Sequence, residues 1–172
     1  DGAEHTLTPG GYAYLPPGKK WALRNNTDKM LRFHWIRKSY EAVEGLDLPN
    51  VIITNEQDIA PTVMPDTDGK WATTRFVDPS DLRHDMHVTV VTFEPGAVIP
   101  FLETHVMEHG LYVLEGKAAY RLNQDWVEVE AGGAQHRVGR GSCGRGGGDD
   151  LDTLGTSPRG VRRRIHGGVC RL

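Results

Sequence analysis

A chain of 172 residues with 38% hydrophobic and 25% charged residues has apolar material for one packed domain, or for one domain and part of another. Its net charge of −3 gives no electrostatic reason to bind nucleic acid or an anionic membrane, and no apolar run approaches a membrane span. Cys143 and Cys170 are too few for a disulfide framework, and no signal segment opens the sequence, so a cytoplasmic location is expected. The chain opens on Asp1 in what reads as mid-domain sequence, so a truncated N-terminus is expected too.

In chain order, Gly10-Gly11 and Pro16-Pro17-Gly18 mark early turns. Leu31-Arg32-Phe33-His34-Trp35 alternates apolar and polar residues, which predicts a strand. Residues 46–85 are rich in Pro, Asp and Thr and read as a connector with one or two short strands. His87–Phe93 and Leu111–Leu114 are β-branched and aromatic runs, again strand-like. Ala118–Leu122 and Trp126–Glu130 predict a hairpin across a three-residue turn, Asn123-Gln124-Asp125. No segment carries a 3.6-residue period. Short strands with frequent turns predict an all-β sandwich, jelly roll or barrel.

The composition changes abruptly at Gly132. All thirteen aromatic residues lie before it, with 12 basic and 20 acidic residues, a net charge of −8. From Gly133 on there are eight arginines, three aspartates and eleven glycines in forty residues, and no aromatics. Such a segment buries too little apolar surface to offset the entropy of ordering it, so a disordered or badly packed tail is expected.

The chemistry concentrates in Glu103-Thr104-His105-Val106-Met107-Glu108-His109. Residues two apart on a strand share a face, so Glu103 and His105 point the same way there, and His109 can join them. Two imidazoles and a carboxylate suit Mn²⁺, Fe²⁺ or Zn²⁺, with coordination positions left open for substrate or water. The three residues alone leave two readings open, metal ligands or a surface cluster.

The flanking glycines favour the first. Gly96, six residues, Glu103-x-His105, three residues, His109, six residues and Gly116 resemble the first cupin motif, with the acid and one histidine exchanged. Gly10, Pro16, Gly18 and Asn25 resemble the second cupin motif, but Trp21 stands at its histidine position. An indole does not ligate a metal, so that barrel is expected to be metal-free, with Trp21 in its core or lining. The expected fold is therefore an all-β cupin (jelly-roll) bicupin fragment with a truncated first barrel. Its parts are residues 1–45 from the metal-free cupin, 46–85 as connector, 86–132 as the metal-binding cupin, and 133–172 as an atypical Arg/Gly-rich tail.

Within the cupins, the chain resembles the (S)-ureidoglycine aminohydrolase family of allantoin degradation over about residues 9–132. The likeness is carried by Gly11–Gly18, Phe33–Lys38, Met64–Gly69, Trp71–Phe76, Arg83–His87, Phe93–Pro100 and Glu103–Trp126. It implies Mn²⁺ held by Glu103, His105 and His109, and hydrolysis of ureidoglycine to ureidoglycolate with release of ammonia. It also implies a substrate contact from Tyr120, a proton-transfer role for Glu103, and a homo-oligomer in intact members. A half-buried strand tyrosine is the plainer reading of Tyr120.

The family's fourth ligand, a glutamine, and its substrate lysine fall beyond Gly132, where the likeness stops. Ungapped counting puts Cys143 and Arg159 at those positions, and neither carries a functional inference. Gln135 and His136 are weaker candidates for the fourth ligand. The break reads as a shifted frame in a G+C-rich gene: moving the frame near codon 132 should restore an aromatic-containing β sequence, and a run of stops there would contradict it. His84, Asp85 and His87 read as structural rather than as a second site, and Arg162-Arg163-Arg164, without interleaved aromatics, does not read as an RNA-binding tail. Two other functions compete: a different cupin metalloenzyme, such as a dioxygenase or isomerase, and a non-catalytic small-ligand cupin.

Overall fold

The computed structural model describes residues 2–99, 101, 108–122, 124–131 and 165–171. Among them, no helix is long and apolar enough to cross a membrane. The ordered elements are β1 (Gly11–Tyr14), β2 (Ile52–Asn55), a 3-10 turn (Glu56–Asp58), β3 (Thr62–Val63), β4 (Trp71–Arg75) and β5 (Met86–Phe93). They continue with β6 (Glu108–Glu115), β7 (Lys117–Leu122), β8 (Asp125–Glu130) and β9 (Ile165–Arg171). These form a β1-β2 pair, a five-stranded sheet in the order β3-β4-β5-β9-β6, and a β7-β8 hairpin.

The β1-β2 pair is pinned where the chain enters β1. Gly10 has φ +81°, and a Cβ there would lie 2.9 Å from both Asn55 Oδ1 and Glu56 Cγ, so only glycine fits without displacing them. Asn55 Nδ2 donates to Pro9 O at 3.0 Å and to Thr8 Oγ1 at 3.1 Å, while its Oδ1 accepts from Gln57 N at 3.0 Å. One side chain therefore ties the entry of β1 to the start of the 3-10 turn.

The core sits on β5. Val88 and Val90 are buried, and Tyr12, Phe76 and Leu114 pack against them, with Tyr12 stacked on Phe76 at 4.3 Å. Burial raises the Tyr12 phenol to about 12. Trp71 on β4 is buried beside Phe93 and Phe101. β3 and β4 are joined through Asp66, Asp68 and Gly69, all at positive φ. Met64 N donates to Trp71 O at 2.8 Å and Thr67 Oγ1 to Met64 O at 2.7 Å, closing that loop.

The hairpin expected near the end of the motif forms, with Tyr120 paired to Val127 and Ala118 to Val129 on its half-buried face. Its turn is one residue shorter than expected, because Asp125 pairs with Leu122 and joins the ladder. Three further expectations are corrected. Leu31–Trp35 is not in a strand, and Leu31, Phe33 and Trp35 are exposed. Alternation needs a pairing partner, and no described strand is hydrogen-bonded to this segment. The connector carries three strands rather than one or two: β2 pairs with β1, and β3 and β4 extend the sheet of β5. The tail is not uniformly without structure either, because Ile165–Arg171 forms β9 between β5 and β6. Those two strands run parallel with one strand's width between them, and a segment bearing Ile165 and Val169 supplies the backbone donors and acceptors their facing edges require. β9 is parallel to both neighbours, whereas every other described pair is antiparallel.

Candidate metal centre

The turn that opens the ligand motif forms where the sequence places it. Gly96 has φ +77°, Ala97 N donates to Glu94 O at 2.9 Å, and Glu94 N donates to Lys70 O at 2.8 Å, which fastens this turn to the end of the β3–β4 loop. Glu103 and His105 lie outside the described residues. His109 is on β6, half-buried, with its Nε2 buried. A single residue, Gly116 at φ +82°, then joins β6 to β7, which carries Tyr120 half-buried on the same face as Ala118. Tyr120 is thus on the inner face of its hairpin, as both readings of it require. The tail candidates Gln135, His136, Cys143 and Arg159 lie outside the described residues.

Trp21 is not in a core. It is 51% exposed and meets Trp35 edge-on at 5.5 Å, and Arg37 lies over the Trp35 ring at 5.4 Å. The correction has the same cause as at Leu31–Trp35: no described strand pairs with this segment. Farther along, His34 sits 3.9 Å from the Tyr112 ring and so lays the segment against β6, three residues past His109.

Of His84, Asp85 and His87, the first two take part in a network of contacts at the entry to β5. His84 is buried edge-on to Tyr14 at 4.8 Å, with Nε2 3.6 Å from Asp81 and Nδ1 buried without a hydrogen-bond partner among the described residues. Burial lowers the His84 pKa, and the Asp81 charge opposes that shift only in part. Asp81 accepts a forked bond from Arg83, at 2.9 Å from Nε and 2.7 Å from Nη2, which holds its carboxyl down at about 2. The Tyr14 hydroxyl is pushed up to about 12, chiefly by burial and then by Asp85. Asp85 accepts from Lys38 Nζ at 2.7 Å and from Glu41 N at 3.0 Å, and Tyr40 donates to Arg83 O at 3.0 Å. Sequence reading missed this clamp, because its partners are more than forty positions apart and no local pattern marks them.

Among the residues whose side chains are described, no three His, Cys, Asp or Glu groups converge as a metal cage. Of the expected triad only His109 lies among the described residues, and the turns at Gly96 and Gly116 on either side of the motif are formed.

Comparison with known proteins bears on what that motif belongs to. No protein-family model matches the chain. The (S)-ureidoglycine aminohydrolase of Escherichia coli (strain K12) is 30% identical over 132 residues, covering 77% of this chain and 49% of that protein. The (S)-ureidoglycine aminohydrolase of Arabidopsis thaliana is 31% identical over 126 residues, covering 73% of this chain and 40% of that protein. Over that span the chain resembles the (S)-ureidoglycine aminohydrolases. It spans half or less of the length of these curated relatives. The crystal structure of a Pseudomonas aeruginosa protein described as glyoxylate-induced is 70% identical, with a TM-score of 0.69, covering 74% of this chain and 47% of that one. With the nine strands among the described residues, this likeness establishes the expected all-β, cupin-type fold.

Proposed function

We propose that this chain is part of a metal-dependent aminohydrolase that converts (S)-ureidoglycine to (S)-ureidoglycolate and ammonia. The observation that carries the reading is the 30–31% identity to aminohydrolases of that name in a bacterium and a plant. Glu103, His105 and His109 would hold the metal, and their mixed imidazole and carboxylate donors fit Mn²⁺. When bound, that ion supplies a positive charge that binds the substrate's carboxylate and polarises its central carbon.

The chain's own residues do the rest. His109, on a paired strand with its Nε2 buried, offers a fixed nitrogen donor. Tyr120, half-buried on β7, orients the substrate through its hydroxyl. Glu103 passes a proton from a water molecule to the departing amine; the water's oxygen forms the C–O bond of ureidoglycolate as the C–N bond breaks and ammonia leaves. The protein acts on a small molecule in the cytoplasm, and the intact form assembles as a homo-oligomer. With the family's glutamine and lysine positions unmatched, turnover by this chain should be weak.

The direct test is ammonia release from freshly generated (S)-ureidoglycine by Mn²⁺-loaded chain, above the uncatalysed decay, with the product's handedness determined. A metal-dependent rate giving only (S)-ureidoglycolate supports the proposal. Oxygen uptake, or a rate no greater than without protein, contradicts it.

A further inference from the structure

Two stretches of this chain have the pattern of a strand and an unused pairing edge, and their charges are opposite. Residues 29–38 hold Lys29, Arg32, Arg37 and Lys38 and no acid, with Leu31, Phe33 and Trp35 alternating between them. Those three side chains are 49%, 56% and 59% exposed. Among the described residues, no backbone N–H or C=O of residues 30–37 is hydrogen-bonded. β8 holds Asp125, Glu128 and Glu130 and no base. Its Trp126, Glu128 and Glu130 are exposed while Val127 and Val129 are half-buried, and among the described strands it pairs with β7 alone. Lys117 meets Glu130 at 3.1 Å, but that pair is exposed and holds the carboxylate only weakly.

We propose that residues 31–37 of one copy of this chain add as an antiparallel strand to the free edge of β8 in a second copy. With Arg32 set opposite Glu130, His34 falls opposite Glu128 and Arg37 opposite Asp125, so each base meets an acid. The same register sets Phe33 opposite Val129 and Trp35 opposite Val127, aromatic on β-branched, which continues the half-buried face of the hairpin. A shift of one residue puts Arg32 opposite Val129 and Phe33 opposite Glu128, so the match belongs to this register alone. Pairing the basic segment with its own counterpart sets bases against bases, and β8 on β8 sets acids against acids; charge selects the mixed pair. Within one chain His34 lies against Tyr112 of β6 and no ladder to β8 forms, which leaves a second copy as the occupant. Each copy carries one segment and one edge, so reciprocal exchange closes a dimer. The inference requires neither the metal site nor the aminohydrolase reading.

Sedimentation velocity of the full-length chain tests it. The chain should associate to a dimer or larger as its concentration rises, and association should weaken as salt is raised from about 0.05 M to about 0.5 M. R32E/R37D and D125R/E130R should each weaken self-association about tenfold or more, because both turn attractive cross-strand pairs into repulsive ones. An equimolar mixture of the two variants should associate like the unaltered chain, since every charge reversed on one copy is matched on the other. All four positions are exposed, and far-UV circular dichroism checks that each variant keeps its strands. A chain monomeric at every concentration, association untouched by either variant, or a mixture no more associated than its components would overturn the pairing. A monomeric chain that binds anionic lipid vesicles or a single-stranded oligonucleotide through Arg32 and Arg37 would overturn it too, and would give the basic segment a different occupant.

Discussion

Lys38 and Asp85 form a 2.7 Å ion pair with both side chains largely buried, 14% and 16% exposed, and Asp85 also accepts the backbone N–H of Glu41. One carboxylate therefore holds the irregular segment after residue 30 against the loop that leads into β5. Breaking a largely buried pair from one side leaves the other charge uncompensated. Asp85→Ala should destabilise the chain by about 3 kcal/mol in urea unfolding. Lys38→Met/Asp85→Leu should cost less than the sum of the two single changes, and strict additivity would show the pair is not coupled.

Acid should weaken the fold in two steps. The folded pKa of His84 lies below its ordinary value because of burial, so the unfolded chain takes up the proton first. Stability from this group is full above about pH 6.5 and declines as the pH falls below it. Asp81, held at about 2 by Arg83, behaves as a depressed carboxylate: its contribution is present above the ordinary carboxylate range and lost as the pH falls from about 4 toward 2. The groups facing His84 are Asp81, Arg83, Asp85 and Tyr14. His84→Phe should flatten the midpoint-against-pH curve between about pH 5 and 7 relative to the unaltered chain. Equal slopes for the two proteins would show that His84 does not set that limb.

Gly10 is the position where a methyl group has no room. At φ +81° an added Cβ would meet Asn55 Oδ1 and Glu56 Cγ, both at 2.9 Å. Gly10→Ala should cost about 1–3 kcal/mol, from the left-handed backbone and the displaced cap together. Gly18 also has positive φ, +79°, but open space around it, so Gly18→Ala should cost the smaller, backbone part alone. Equal costs at the two positions would mean that the contacts of Asn55 contribute nothing.

How much of this could be read beforehand depended on whether the signal was local. The strand at His87–Phe93, the Ala118–Glu130 hairpin and the turns at Gly96 and Gly116 follow from alternation and turn residues, which act over a few positions. Leu31–Trp35 has the same alternation and no strand, because a strand is a property of two paired segments and no described strand pairs with this one. β9 shows the converse, since Ile165–Arg171 has two adjacent glycines and a weak pattern but lies between two open edges. Of the site, Tyr120 lies on the strand that the Ala118–Leu122 pattern predicted, while β6 begins at Glu108, before the Leu111–Leu114 run, and so takes in His109, because its pairing with β9 depends on register across the sheet, which local spacing does not encode.

The most direct measurement is Mn²⁺ stoichiometry by electron paramagnetic resonance on the full-length chain, repeated with His109→Ala and Glu103→Ala. The account predicts about one Mn²⁺ bound per chain, with affinity falling about tenfold or more in each variant and ammonia release from (S)-ureidoglycine falling with it. Less than about a tenth of an equivalent bound after loading, or binding unchanged in both variants, would contradict a metal centre at this motif.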